Sequence, residues 1–163
     1  MNARNFAALA ISASLAVFTT QPSKAAEGPL AHFAGNWSGG GKITVQNGSS
    51  ERIRCRSSNG NNASGNALSM NLRCASDSYK FELASDINSD GSNISGSWNE
   101  TTRGVMGSLS GKVTANNIQA TANAVGFSAS LAIRASGNSL SVSIRSPGAE
   151  ISEVSVSMTK SGR

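Results

Sequence analysis

The chain has 163 residues, of which 38% are hydrophobic, 14% charged and 5% aromatic, with 17 glycines, two cysteines, one histidine and a formal net charge of +5. Charged residues fall well below the roughly 25% of an average globular chain, which excludes a coiled coil, a long solvated helix or a polyelectrolyte tail. The polar bulk is Ser, Asn, Thr and Gly, residues of turns and of the wet faces of antiparallel sheets, so the composition points to an all-β chain.

Residues 1–25 have the layout of a secretory signal: Arg4 ahead of an apolar run from Phe6 to Phe18, then small residues at Ser23 and Ala25. Cleavage is expected after Ala25. The apolar run is too short for a bilayer core of ~30 Å, and no other segment approaches the ~20 residues of a membrane helix, so the protein is not expected to span a membrane. Loss of this segment removes Arg4 and Lys24 but no acid, which lowers the net charge from +5 to +3. Residues 26–163 then form one domain, periplasmic or secreted.

Beyond Ala25 the hydropathy alternates with period two, after a short turn at Pro29 to Phe33. The predicted strands are Trp37 to Gln46, Arg52 to Ser58, Ala67 to Ala75, Tyr79 to Ile87, Asn93 to Thr101, Val105 to Val113, Ile118 to Val125, Phe127 to Ala135, Ser139 to Arg145 and Glu153 to Thr159. Asn47-Gly48, the polar segment Asn59 to Asn66, Asp90-Gly91, Asn116-Asn117, Gly137-Asn138 and Pro147-Gly148 supply reversals. One parity carries Trp37, Ile43, Ile53, Leu72, Phe81, Trp98, Leu109, Ile133 and Val156, while the other is Ser, Thr, Asn, Lys and Arg. A dry interior and a wet exterior on a meander predict a single antiparallel barrel of about eight to ten strands; a two-sheet sandwich is the alternative. A barrel in a membrane would need the inverse pattern.

Two features follow from the strand parities. Cys55 and Cys74 fall opposite each other if the hairpin is centred between Ser64 and Gly65, and facing Cα atoms ~4.5–5.5 Å apart can be bridged, so a disulfide is expected. Glycines 39, 41, 96, 107 and 111 and alanines 120, 122 and 124 lie on the apolar parity. They either let strands coil tightly around bulky neighbours or leave a cavity for a small apolar ligand.

The segment Phe33-Ala34-Gly35-Asn36-Trp37, which opens the first strand after a short turn, resembles the Gly-x-Trp motif of the calycin superfamily of lipocalins, avidins and bacterial metalloprotease inhibitors. The resemblance implies a calycin-like barrel whose closed end is plugged by Trp37, covered by a basic residue of the last strands, Arg145 or Lys160. Gly35 to Gly39, Ser49 to Arg56 and Leu72 to Tyr79 are similar to small exported proteins of Gram-negative bacteria, which implies the periplasm and no mechanism.

Chemistry is sparse. Nucleophilic catalysis needs a base beside its Ser or Cys, and the only imidazole, His32, sits in the N-terminal turn. The acids Glu51, Asp77, Glu82, Asp86, Asp90, Glu100, Glu150 and Glu153 are scattered, so no metal site is expected, and Gly39-Gly40-Gly41-Lys42 lacks the Ser/Thr and the helix of a phosphate loop. We therefore expect no catalytic residues, no enzyme activity and no cofactor. Arg52, Arg54 and Arg56 leave the wet face of one strand and Arg73 faces Arg56, an anion patch suited to an envelope glycan or an acidic partner; nucleic acid is not expected, because no aromatic interleaves the stripe.

The reading that results is a non-enzymatic periplasmic barrel that binds a small apolar or amphipathic ligand through Trp37, Met70, Phe81 and Trp98. The alternatives are a protease inhibitor that inserts Glu27 to His32 into its target, and an envelope protein that contacts anionic glycans through the Arg hairpin. The mature N-terminus is expected at Ala26-Glu27-Gly28, and the intact mass should rise on reduction by the hydrogens of one disulfide; protein isolated from its own host and weighed before and after reduction checks both.

Overall fold

The computed structural model describes residues 27–162; the signal segment expected at residues 1–25 lies outside the described residues. A single 3₁₀ turn at Ala31–Phe33 precedes ten strands: β1 (Gly35–Val45), β2 (Ser50–Asn61), β3 (Ala67–Ala75), β4 (Lys80–Asp90), β5 (Asn93–Glu100), β6 (Val105–Thr114), β7 (Asn117–Ala124), β8 (Phe127–Ser136), β9 (Ser139–Arg145) and β10 (Ile151–Lys160). Each strand pairs antiparallel with its sequence neighbour, and β10 returns to β1, so the meander closes into a barrel. The expected all-β meander is present, and closure decides between barrel and sandwich.

The period-two pattern explains the interior. Along β3 the burial alternates through Leu68, Met70, Leu72 and Cys74, and along β10 through Val154, Val156 and Met158. The polar parity faces outward. The hairpin register is the one the cysteines require: Cys55 faces Cys74, their Cα atoms are 4.2 Å apart, and the disulfide is formed, both residues being buried.

One strand runs further than its composition suggests. The polar residues Asn59 to Asn61 read as the start of a loop, yet they extend β2. Asn59 points inward and is buried, its Nδ2 donates to the Phe33 carbonyl oxygen at 2.9 Å, and its Oδ1 accepts from Ser57 Oγ at 2.6 Å. A buried amide is tolerated when its hydrogen bonds are made, and here they tie the 3₁₀ turn to the barrel wall.

The same end is closed by the N-terminal segment. Gly28 N donates to Ser64 O at 2.8 Å and Leu30 N to Gly65 O at 3.0 Å, which draws the chain across the loop between β2 and β3. Leu30 and Phe33 are fully buried beneath it. Trp37 Nε1 donates to the Phe33 carbonyl at 3.3 Å, and the Nζ of Lys160, its register partner on β10, stands 5.3 Å from the ring centroid. Of the two basic residues expected near Trp37, it is Lys160 that covers it.

The inward glycines serve close approach of strands. A β-carbon at Gly39 or Gly41 would collide with the Ser157 or Ser155 carbonyl oxygen on β10, and one at Gly107 with that of Asn123 on β7. Without side chains β1 can curl tightly against β10 and complete the barrel. Gly41→Val should therefore cost ~3 kcal/mol or more, as overpacking against backbone does. Gly60→Val, where an added β-carbon meets nothing, should stay within about 0.5 kcal/mol of the parent. Urea unfolding of the two variants measures the difference.

Candidate functional site

In a meander, alternate connections share one barrel end. Opposite the plugged end therefore lie the β1–β2 turn, the β3–β4 connection, the β5–β6 turn, the β7–β8 turn and the β9–β10 loop. The inward residues near that end are the ones that bury incompletely: Leu83, Val105, Phe127, Leu131, Ile144 and Ile151 pack against the core without being enclosed by it. They surround a cavity of about 230 Å³.

Its wall is apolar and partly aromatic. Trp98 on β5 faces Gly107 on β6, a position with no side chain to displace the indole, and Trp98 Nε1 donates to the Ser108 carbonyl at 3.1 Å. With its only polar atom satisfied, the indole presents hydrocarbon to the cavity. Its centroid is 5.5 Å from that of Phe127 on β8 in a tilted arrangement, and Phe81 on β4 completes the aromatic part. Ala122 and Ala129, which face each other across β7 and β8, leave space in the wall. The glycines of the apolar parity do not line the cavity, and of the alanines at 120, 122 and 124 only Ala122 does.

Polar atoms are few and divide by depth. Ser85 lies on the inner wall, where the cavity gives way to a void of only about 10 Å³ among Met70, Leu72 and Ile118, room for at most one water. Ser146 donates its hydroxyl to the Ile151 carbonyl. Charges stand only at the rim. Arg103, in the β5–β6 turn, lies 3.6 Å from Glu100 and 3.5 Å from Glu150 of the β9–β10 loop, and its Nη1 donates to the Lys80 carbonyl at 3.3 Å. One guanidinium thus ties three connections across part of the mouth.

Glu100 is the anchor of that tie. Burial pushes its carboxyl up, but hydrogen bonds at the turn outweigh this: Oε1 accepts from the backbone N–H of Glu82 at 3.0 Å and of Thr102 at 3.1 Å, and Oε2 from that of Arg103 at 2.9 Å. The net effect holds its pKa below the ordinary value.

Of the four side chains expected to contact a ligand, Phe81 and Trp98 are on the cavity wall. Met70 belongs to the packed middle of the barrel and Trp37 to the plugged end. The sequence reading places Phe127 only among the inward apolar residues and Glu100 and Glu150 only among scattered acids, and it does not single out Arg103. The shared barrel end of alternate connections is the signal that would have grouped them. Arg52, Arg54 and Arg56 are exposed on the outer wall, with Arg73 facing Arg56, far from the hollow interior. His32 is exposed on the 3₁₀ turn, and among the described residues no three His, Cys, Asp or Glu side chains cluster as metal ligands.

These features define a closed antiparallel barrel, plugged at one end and hollow at the other. No protein-family model and no curated protein matches the chain. Among solved structures it is similar to the crystal structure of Rv2717c from M. tuberculosis, with a TM-score of 0.61 and 12% sequence identity over 82% of this chain and 94% of that one. At that identity the likeness is one of fold.

A carboxylate whose pKa is lowered on folding stabilises the native state above its unfolded value and loses that contribution as the pH falls through the folded one. The stability advantage of the parent over Glu100→Gln should therefore hold above pH 4.5, the ordinary carboxylate value, and shrink below it. Urea unfolding of both proteins over a pH series reads the difference directly, since the other carboxylates cancel.

Proposed function

We propose that the protein is an exported, non-enzymatic barrel that binds a small apolar or amphipathic molecule at its mouth end. The observation that carries this reading is the apolar cavity of about 230 Å³ framed by Phe81, Trp98 and Phe127. Packed protein interiors contain few voids larger than a water molecule, so a hollow of this size inside an otherwise filled barrel is not a packing accident. An apolar cavity of about 150 Å³ stays dry and admits benzene, while drug-sized ligands occupy ~300–1,000 Å³. The ligand is accordingly a one- or two-ring compound or a short alkyl chain. Its hydrocarbon faces the aromatic wall, and any polar group sits at the rim beside Glu100, Arg103 and Glu150.

The one histidine, His32, is exposed on the 3₁₀ turn, and among the described residues it is not hydrogen-bonded to a Ser hydroxyl, which supports binding over catalysis. The disulfide is compatible with an oxidising compartment and supports export. An inhibitor that inserts Glu27 to His32 into a protease is less well supported, because Leu30 of that segment, like Phe33 just after it, is a core residue of the plugged end.

Calorimetric titration with 2-naphthol and with 1-hexanol tests the reading. At least one should bind, and Ala129→Phe, which fills the cavity, should weaken that binding at least tenfold, about 1.4 kcal/mol, without lowering thermal stability. Absence of heat for both probes at millimolar concentration, or equal binding by a folded Ala129→Phe variant, refutes it.

A further inference from the structure

The outer wall carries a second feature, unconnected with the cavity. Elsewhere on the barrel surface the outward parity is dominated by Ser, Thr and Asn, as along β7 to β9. On β1 to β4 it is cationic: Lys42, Arg52, Arg54, Arg56, Arg73 and Lys80 are all exposed.

The register arranges these six side chains. Lys42 faces Arg52, Arg56 faces Arg73, and Arg54 is joined through Ala75 to Lys80. Same-face residues repeat every ~6.6 Å along a strand, so Arg52, Arg54 and Arg56 form a row about 13 Å long. On β1 the row is flanked by Ser38 and Gly40, and on β3 by Ala75. These short residues leave a shallow trough bordered by Arg54, Arg56, Arg73 and Lys80.

Counter-charge is scarce there. Glu82 serves both Arg73, at 3.8 Å, and Lys80, at 3.5 Å. Among the described residues no carboxylate stands within 4.0 Å of Lys42, Arg52, Arg54 or Arg56. Like charges facing each other across a strand pair are destabilising, and the fold does not require them where serine serves elsewhere. The Cys55–Cys74 bridge lies beneath Arg54, Arg56 and Arg73 and holds the β2–β3 register against that repulsion.

We propose that this strip is a docking site for an extended anionic polysaccharide. Guanidinium forks engage sulfate, phosphate and carboxylate oxygens two at a time, and a linear row in a trough suits a chain with charges repeated along its length. The strip has no aromatic side chain on which bases would stack and no large apolar side chain to enter a bilayer, which separates it from single-stranded nucleic-acid and membrane-inserting surfaces.

Heparin is the probe, with fluorescence polarisation against a labelled chain over a salt series. The parent should bind, and Arg52→Ser/Arg54→Ser/Arg56→Ser should weaken binding at least tenfold and flatten the dependence of log K on log salt. Lys112→Ser/Arg134→Ser/Arg145→Ser, which removes the same charge from β6, β8 and β9, should change affinity less than threefold. Circular dichroism establishes that both variants fold. Equal weakening by the two triple variants overturns the proposal in favour of net charge, and absence of binding by the parent overturns it outright. Strip-dependent binding to phosphatidylglycerol vesicles that exceeds binding to heparin overturns it in favour of a lipid surface.

Discussion

A row of ten antiparallel strands has two unpaired edges, and the pairing of β1 with β10 removes both. Everything else in this molecule depends on that seam. Exposed edges template further pairing, and a closed sheet is the one all-β solution that abolishes them. Closure also creates the interior, because it turns the inward face of a ribbon into a core. The glycines at 39 and 41 permit it, because a β-carbon there would meet the carbonyl groups of β10.

Within that cylinder the two ends have opposite character. At one, Leu30, Phe33 and Trp37 fill the space, Asn59 and the Trp37 indole share the Phe33 carbonyl as acceptor, and Lys160 covers the ring. At the other, Phe81, Trp98 and Phe127 stand around a hollow, and the charges that would be costly inside stay at the rim, where Arg103 joins Glu100 to Glu150. The chain has few aromatics, and most of those described are committed to one end or the other.

The wall has its own asymmetry. The interior of a barrel is indifferent to what the outward parity carries, so long as it is polar. That freedom allows six cations to collect on β1 to β4, while the disulfide underneath keeps the strands that bear several of them in register. The cavity and the strip are thus separate uses of the two faces of one sheet.

Much of this was legible in the sequence because it is local. Period-two hydropathy sets which side chains face inward, turn residues set the hairpins, and the spacing of Cys55 and Cys74 about a turn sets their register, so strands, faces, disulfide and the outward Arg row need only neighbouring residues. Asn59 escaped because its reason to be in a strand is the carbonyl of Phe33, contributed by the N-terminal turn. The cavity escaped for the same kind of reason. Whether Trp98, Phe127, Ala122 and Ala129 fill or leave space depends on the summed volume of side chains from several strands at one level of the barrel, and no single strand carries that sum. By itself the sequence determined the strands, their two faces and the covalent staple. Tertiary closure alone decided that the end opposite Trp37 is hollow and that Arg103 and Glu150 meet across the mouth, because those relations exist only once β1 has found β10.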